Sequence, residues 1–555
     1  MAVYKLIARW PENRVLRARK TSLHEYRRMQ SSQKLPIALA FVTLITAVAC
    51  ASTPAAQAPL PSTERPKLVI LVVVDQLRAD LLDRYGDLYT GGFKRLRETG
   101  HSFVNAAHDH AGTVTAAGHA TLSTGVYPSK HGIIANLWLE KPGTTWVPVE
   151  NVSDSTVSIV GTNARGDSPV HLMRSGFAEW LLQANPQSKV ASVSGKDRGA
   201  IQPAAHARAG YVYWFDGSFK RFITSTYYRK SDPDWVTRFN AGISDKYRSD
   251  TVWNIRAPRA VWSRADRDTL DFEADGIHTF FPHTYRAEGD TSNFWLWWEN
   301  TPNVDALTLE MAENMVTSLE LGRDNAPDFL NVSLSVTDRI GHRFGPLSRE
   351  QMDNLLRLDR ELGEFFDFLD RTVGKNQWTV ALSADHGVLD SPEDLIARGE
   401  YGHRLNAAEN KTLDSLRAHA DSAKDKKAAA RDLAAALKKL PIVADAWTHD
   451  ELAQARDSFA ILQRRSMYPG RVAGRFSRQG VEFRYIPGIY GAPKGSGHGQ
   501  TYWYDRHVPL IFMGPGISAS LDPSKAATVD FAPTVSSILG ISYPKDLDGK
   551  VLKLR

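Results

Sequence analysis

The chain has one cysteine, Cys50, in 555 residues. No internal disulfide can form, so a disulfide framework is excluded and the fold must rest on its core. Long apolar runs are also scarce. The uncharged stretch Leu35–Ala49 is shorter than the ~20 residues a membrane-spanning helix needs. The body of the chain also lacks an excess of positive charge. The formal net charge is +6, but residues 1–34 alone carry nine Lys/Arg against Glu12 and Glu25. The basic excess therefore lies entirely in that leader, and nucleic acid is excluded as a specific partner despite the high pI. Repeats are absent as well. With apolar residues at 42% and charged residues at 23%, the composition is that of a globular protein large enough for an extensive core with insertions, or for two domains.

The leader has the order of an export signal: a basic segment, the apolar run, then the small residues Ala49-Cys50-Ala51. Residues 1–50 are expected to be removed, which places the mature protein in the periplasm, on the outer membrane as a lipoprotein, or outside the cell. Met29 offers an internal start with a shorter basic region. Ala47-Val48-Ala49-Cys50 is similar to a lipoprotein processing box, with Ala47 where Leu is usual. Cys50 is thus either a lipid attachment point or an incidental cysteine in a discarded peptide. Residues 51–66, rich in Ala, Pro, Ser and Thr, read as a flexible tether.

Five apolar runs, Leu68–Val74, Val190–Val193, Phe329–Leu334, Thr379–Leu382 and Val508–Phe512, read as buried parallel strands. Helical spacing, as in Gln351–Leu369, lies between them. The expected fold is α/β, with a mainly parallel sheet and helices on both faces. Ligands in such folds gather at the carboxyl ends of the strands, and four of the five runs are followed there by Asp75, Lys196 and Arg198, Asp338, or Asp385. Two stretches interrupt the pattern. Residues 200–305 are dense in Trp and Tyr, which more often signals packing than a ligand platform. Residues 396–484 include a charged, Ala-rich helix near Asp421–Leu437. Both are expected to be insertions capping the site, dividing the catalytic core into 67–199, 306–395 and 485–555.

Asp75, Asp338, His342, Asp385, His386 and His498 are candidate metal ligands. A mixed set of carboxylate and imidazole donors suits zinc. Singly, each has a bland explanation, since an Asp after a strand often only caps a helix. Together, at strand ends and beside Gly341, Gly387, Gly497 and Gly499, they point to a site. The segment Thr113–His119 reads as a turn entering a helix. Thr115 there either presents a hydroxyl at an anion-binding helix N-terminus or merely caps the helix.

From Leu68 to the C-terminus these motifs resemble the alkaline phosphatase superfamily, which also holds nucleotide pyrophosphatases/phosphodiesterases and sulfatases. They are most similar to its bacterial, zinc-dependent monoesterase branch with a threonine nucleophile; VDFAPTVSSILGI and LDGKVL match the closing segment. The resemblance implies an alkaline-phosphatase-like core and two zinc ions per chain. Thr115, Asp75, Asp385 and His386 would hold one zinc, and Asp338, His342 and His498 the other. Thr115 would be the catalytic nucleophile, passing through a phospho-threonine intermediate on small phosphorylated substrates. Asn136, Lys196 and Arg198 would bind the phosphate, and His119 and His131 would be structural. Lys196-Asp197-Arg198 matches the Lys-x-Arg pair of the monoesterases, which the phosphodiesterase branch lacks. Thr115-Ala116-Ala117-Gly118-His119 stands where sulfatases carry C/S-x-P-x-R. The alternatives are a phosphodiesterase on the same fold and a catalytically silent, exported metal-binding protein. The resemblance does not specify the oligomeric state.

Overall fold

The computed structural model describes residues 65–273, 278–286 and 293–555. The leader, Cys50 and the tether up to residue 64 lie outside the described residues. A nine-stranded sheet organises the chain. Its strands, in chain order, are β1 (Leu68–Val74), β2 (His101–Ala107), β3 (Val190–Ser194), β4 (Tyr211–Asp216), β5 (Arg221–Ile223), β6 (Asp328–Leu334), β7 (Trp378–Ser383), β8 (Leu510–Met513) and β9 (Ser520–Ala527). The spatial order is β9-β2-β8-β7-β1-β6-β3-β4-β5. The run β7-β1-β6-β3-β4 is parallel throughout.

β1, LVILVVV, is apolar and buried at all seven positions because both its faces are covered. Leu68, Ile70, Val72 and Val74 enter one core with Leu307, Met311, Leu358 and Phe366. Val69, Leu71 and Val73 enter the other with Leu122, Phe177, Leu181 and Phe531. The alternation of a strand is thus masked by helices on both sides. The helix expected at Gln351–Leu369 spans Arg349–Leu369, its first turn closed by the Ser348 side chain accepting from the Gln351 N–H. No helix among the described residues is long and apolar enough to cross a membrane.

The expectation of a parallel strand at Val508–Phe512 is corrected. β8 runs antiparallel to both β7 and β2. An apolar run reports burial on two faces but carries no direction. The reversal has a consequence for the site: Leu510, the first residue of β8, pairs with Ser383, the last of β7. The loop entering β8 therefore lies at the same edge as the loops leaving the parallel strands. His498, upstream of its strand, reaches that edge from the other direction.

The stretch 200–305 supplies β4 and β5 to the sheet, and Trp253, Trp295, Trp297 and Trp298 pack in the core of the β1 face. Its aromatic density is packing. The stretch 396–484 has a core of its own around an antiparallel pair, Val443–Thr448 with Val481–Tyr485. The helix expected near Asp421–Leu437 is two, Ala407–Ser422 and Lys426–Leu437, with the Asp425 side chain capping the second.

Candidate active site

Six side chains meet at the carboxyl edge of the sheet. Asp75 follows β1, and Asp385 and His386 follow β7. Asp338 and His342 sit one turn apart on one face of the helix Val336–Phe344, directly after β6. His498 comes from the loop before β8. They fall into two groups whose donor atoms each lie within 4.8 Å of one another: Asp75, Asp385 and His386, and Asp338, His342 and His498. In the first, His386 Nε2 is 3.5 Å from Asp75 Oδ1 and 3.7 Å from Asp385 Oδ2. In the second, Asp338 Oδ1 is 3.2 Å from His342 Nε2 and 3.6 Å from His498 Nε2.

The imidazoles are oriented by their other nitrogens. Nδ1 of His342 is 2.8 Å from the Ser496 carbonyl, Nδ1 of His498 is 2.6 Å from that of Thr113, and Nδ1 of His386 is 2.9 Å from that of Gly387. A carbonyl only accepts, so Nδ1 carries the proton, and in the neutral ring the Nε2 lone pair faces inward. Burial holds His386 below and His498 well below the usual histidine range, which keeps both neutral. Burial opposes protonation of His342 too, but Asp338 raises it. His342 Nε2 and His498 Nε2 lie 3.2 Å apart, a contact resolved by a cation between them or by a proton on His342. In the first group Asp75 Oδ1 and His386 Nε2 are buried without any hydrogen-bond partner, and Asp385 Oδ2 has only His119 Nδ1 beside it, at 3.2 Å. Three converging acceptors, two of them with no partner, are what a metal ion satisfies. The residues present fit a metal at both points.

Lys196 is not in open solvent at the mouth of the site. Its Nζ lies 2.5 Å from Asp75 Oδ2 and 2.6 Å from Asp338 Oδ2, one ammonium shared by both groups. Burial, reinforced by Asp338 and Asp385, pushes the Asp75 carboxyl well above its ordinary range. Against burial, Lys196 and His342 hold Asp338 well below it. Arg198 sits in the first turn of the helix Asp197–Ala204, bonded to Asp197 Oδ1 at 3.2 Å. Its Nε is buried and unpartnered, and Asp197, Asp75 and Asp338 raise its pKa against burial. Asn136 Oδ1 accepts from the Ala116 N–H at 2.9 Å, which leaves its Nδ2 as the free donor.

Thr115 is the first residue of the helix Thr115–Thr124, and extended Val114 occupies the cap position. Thr115 therefore does not cap the helix, and its hydroxyl makes no hydrogen bond among the described residues. It is 2% exposed and stands at the positive end of the helix. The helix packs directly on the metal-ligand loop: a Cβ on Gly118 would lie 2.0 Å from the Asp385 carbonyl oxygen. His119 Nδ1 lies 2.9 Å from the Thr115 carbonyl and 3.2 Å from Asp385 Oδ2, and its Nε2 is 2.8 Å from Ser333 Oγ. His131 Nε2 contacts Thr121 Oγ1 at 3.1 Å on the same helix. The turn before Thr115 is held from the 396–484 stretch, where Ser466 Oγ accepts from the N–H groups of Ala111 and Gly112, both at 2.7 Å.

Sequence reasoning did not single out Gln76. It is fully buried between the two groups, its N–H donating to Asp385 Oδ1 and its Nε2 to Asp338 Oδ1. Only its place next to Asp75 could have drawn attention to it.

Comparison with known proteins gives a consistent set of similarities. Residues 69–479 match the family described as type I phosphodiesterase / nucleotide pyrophosphatase. The chain is 36% identical over 521 residues to alkaline phosphatase PafA of Elizabethkingia meningoseptica, covering 88% of this chain and 94% of that one. It is 33% identical over 517 residues to alkaline phosphatase PhoV of Synechococcus elongatus, covering 88% and 92%. The crystal structure of wild-type alkaline phosphatase PafA superposes with a TM-score of 0.81 at 34% identity, covering 88% of this chain and 98% of that one.

Proposed function

The chain belongs to the type I phosphodiesterase / nucleotide pyrophosphatase family, and on that premise we propose that it is an alkaline phosphatase, a phosphoric monoester hydrolase with Thr115 as nucleophile. Relatives named alkaline phosphatases, at 36% and 33% identity over most of the chain, support the activity. The observation that carries the site assignment is the convergence of buried acceptors on Asp75, Asp385 and His386, those of Asp75 and His386 without a partner, beside a Thr hydroxyl at a helix N-terminus. Two zinc ions are the proposed cofactors. Asp75, Asp385, His386 and Thr115 would hold one, and Asp338, His342 and His498 the other. Bound there, zinc lowers the pKa of coordinated hydroxyl and water and neutralises phosphate charge.

The residues then divide the work. Thr115 Oγ attacks phosphorus and becomes phosphorylated as the alcohol leaves; water cleaves the phospho-threonine and restores the hydroxyl. Asn136 Nδ2, with its amide fixed by the Ala116 N–H, donates to a phosphate oxygen. Arg198 brings a planar fork to two oxygens. Lys196 spends its charge on carboxylates of both groups, so its ammonium turns to phosphate only when those carboxylates are neutralised otherwise. Phosphoryl transfer has a loose transition state, so positioning and charge neutralisation supply most of the acceleration.

Lys196 and Arg198 also separate this reading from a phosphodiesterase. A monoester dianion has three non-bridging oxygens carrying two charges, whereas a diester has two oxygens sharing one. Two cations and Asn136 match the former. In Lys196→Ala and Arg198→Ala, kcat/KM for an aryl monoester is expected to fall by ~2–4 kcal/mol of transition-state stabilisation, and for an aryl diester by much less. Equal losses, or a wild type preferring the diester, would place the chain among the diesterases.

The basic leader, its apolar run and Cys50 support export to the periplasm, with Cys50 as a candidate lipid anchor. Mass spectrometry of the mature protein is expected to find the first ~50 residues gone; a retained leader refutes export, and an unlipidated terminus beyond Cys50 refutes the anchor alone. The stretch 396–484 is proposed as a cap, supported by the hold of Ser466 on the turn before Thr115.

A further inference from the structure

We propose that Gln76 is a positioning residue that sets the aim of one carboxylate in each metal group, and so aligns the two metal points with each other. The inference rests on the metal reading above and concerns a residue outside the phosphate-binding set proposed there.

Gln76 follows Asp75 as the chain leaves β1, with φ at +68°. That left-handed region favours glycine, and a long side chain there is held against its preference. The side chain is fully buried, and its Oε1 has no hydrogen-bond partner. The position thus carries two costs, backbone strain and an unsatisfied amide oxygen. It needs a third accommodation across the site: a Cβ on Gly341 would lie 1.8 Å from Gln76 Oε1. Glycine at 341, between Asp338 and His342 on their helix, is what admits the amide.

Against these costs stand two contacts. Gln76 Nε2 donates to Asp338 Oδ1 at 2.7 Å, the oxygen that faces His342 Nε2 and His498 Nε2. The amide orientation follows from chemistry, because an ionised carboxylate only accepts. The Gln76 backbone N–H donates to Asp385 Oδ1 at 3.0 Å, leaving Asp385 Oδ2 to face His386. Asp338 follows β6 and Asp385 follows β7, on either side of β1. One residue just past the end of the central strand thus fixes a ligand from each neighbour. Groups that orient ligating carboxylates commonly set 10–100-fold in metal affinity.

The contacts separate cleanly on substitution. Gln76→Gly keeps the backbone N–H to Asp385, removes the donor to Asp338 and relieves the strain. In zinc-buffered titrations of the full-length protein, wild type is expected to fill both sites. Gln76→Gly is expected to fill one site as wild type does and the other with affinity lower by ~10–100-fold. The metal-free variant is expected to melt at or above the wild-type temperature. Gln76→Met, of similar length but without the amide, is expected to show the same split and guards against a folding failure of the glycine variant. Wild-type affinity at both sites in either variant overturns the proposal. So does a lowered melting temperature of metal-free Gln76→Gly with zinc affinity unchanged, which assigns Gln76 to the fold alone. A wild type that binds no zinc overturns the metal reading itself, a failure distinct from the other two.

Discussion

Thr115→Ala is expected to lower monoester hydrolysis at least ~10³-fold, as loss of a nucleophile does elsewhere, while metal content and fold stay near wild type. The expectation of an intact fold comes from the surroundings of Thr115. Val114, not Thr115, holds the cap position, so no capping bond is lost, and alanine is a better helix former than threonine. The hydroxyl has no hydrogen-bond partner among the described residues, so no donor is stranded by its removal. The close approach of Gly118 to Asp385 and the contacts of His119 do not involve the Thr115 side chain. The carboxylate and imidazole ligands come from four other segments of chain. Measuring kcat, bound metal and thermal unfolding on one preparation tests all three parts. Labelled phosphate trapped on wild-type Thr115 at low pH, and absent from the variant, would identify the intermediate. Near-wild-type turnover in the variant would remove Thr115 from the mechanism.

The candidate ligands were legible in the sequence because buried parallel strands are apolar on both faces. A polar, chemically capable residue within a few positions of the end of such a run stands out, as Asp75, Asp338 and Asp385 each do. Their division into two groups came from family resemblance, not from spacing, since it depends on which strands are neighbours. His498 could not be placed by the same rule. It precedes its strand, and only the antiparallel register of Leu510 with Ser383 brings it to the common edge. Nothing in the composition of an apolar run encodes that direction.

Two other features were hidden for different physical reasons. Lys196 was recognised as a cation, but residue type does not tell what a charge neutralises. In the fold its ammonium lies between carboxylates of both groups. Gln76 was invisible because its conformation is one that glycine, not glutamine, announces. Aromatic density in 200–305 was rightly weighed toward packing. That β4 and β5 extend the central sheet inside it was concealed by Trp214 and Tyr213, which serve a strand as well as any insertion.

Stripping the metal is expected to abolish turnover and weaken the fold together. Without metal, Asp75, Asp338 and Asp385 share one buried region with a single ammonium, and Asp75 is pushed well above its ordinary range by burial and by the other two. The first group is left with the buried acceptors Asp75 Oδ1 and His386 Nε2 unpartnered. A ligand that binds only the folded state adds about 2.7 kcal/mol of stability at 100 times its dissociation constant, so two sites make the loss readily measurable. Mild acid acts in the same direction. His386 and His498 are held below their ordinary range in the fold, whereas the unfolded chain takes up a proton near pH 6.5. The stability they contribute is present above that pH and falls as pH drops through it, and protonation also removes the lone pairs that bind metal. Chelation at alkaline pH is therefore expected to be reversed by added zinc, with activity and melting temperature recovering in step with bound metal. Full activity in protein shown by mass spectrometry to hold no metal would be fatal to this account. Recovery of the melting temperature without activity would mean that the ions are structural alone.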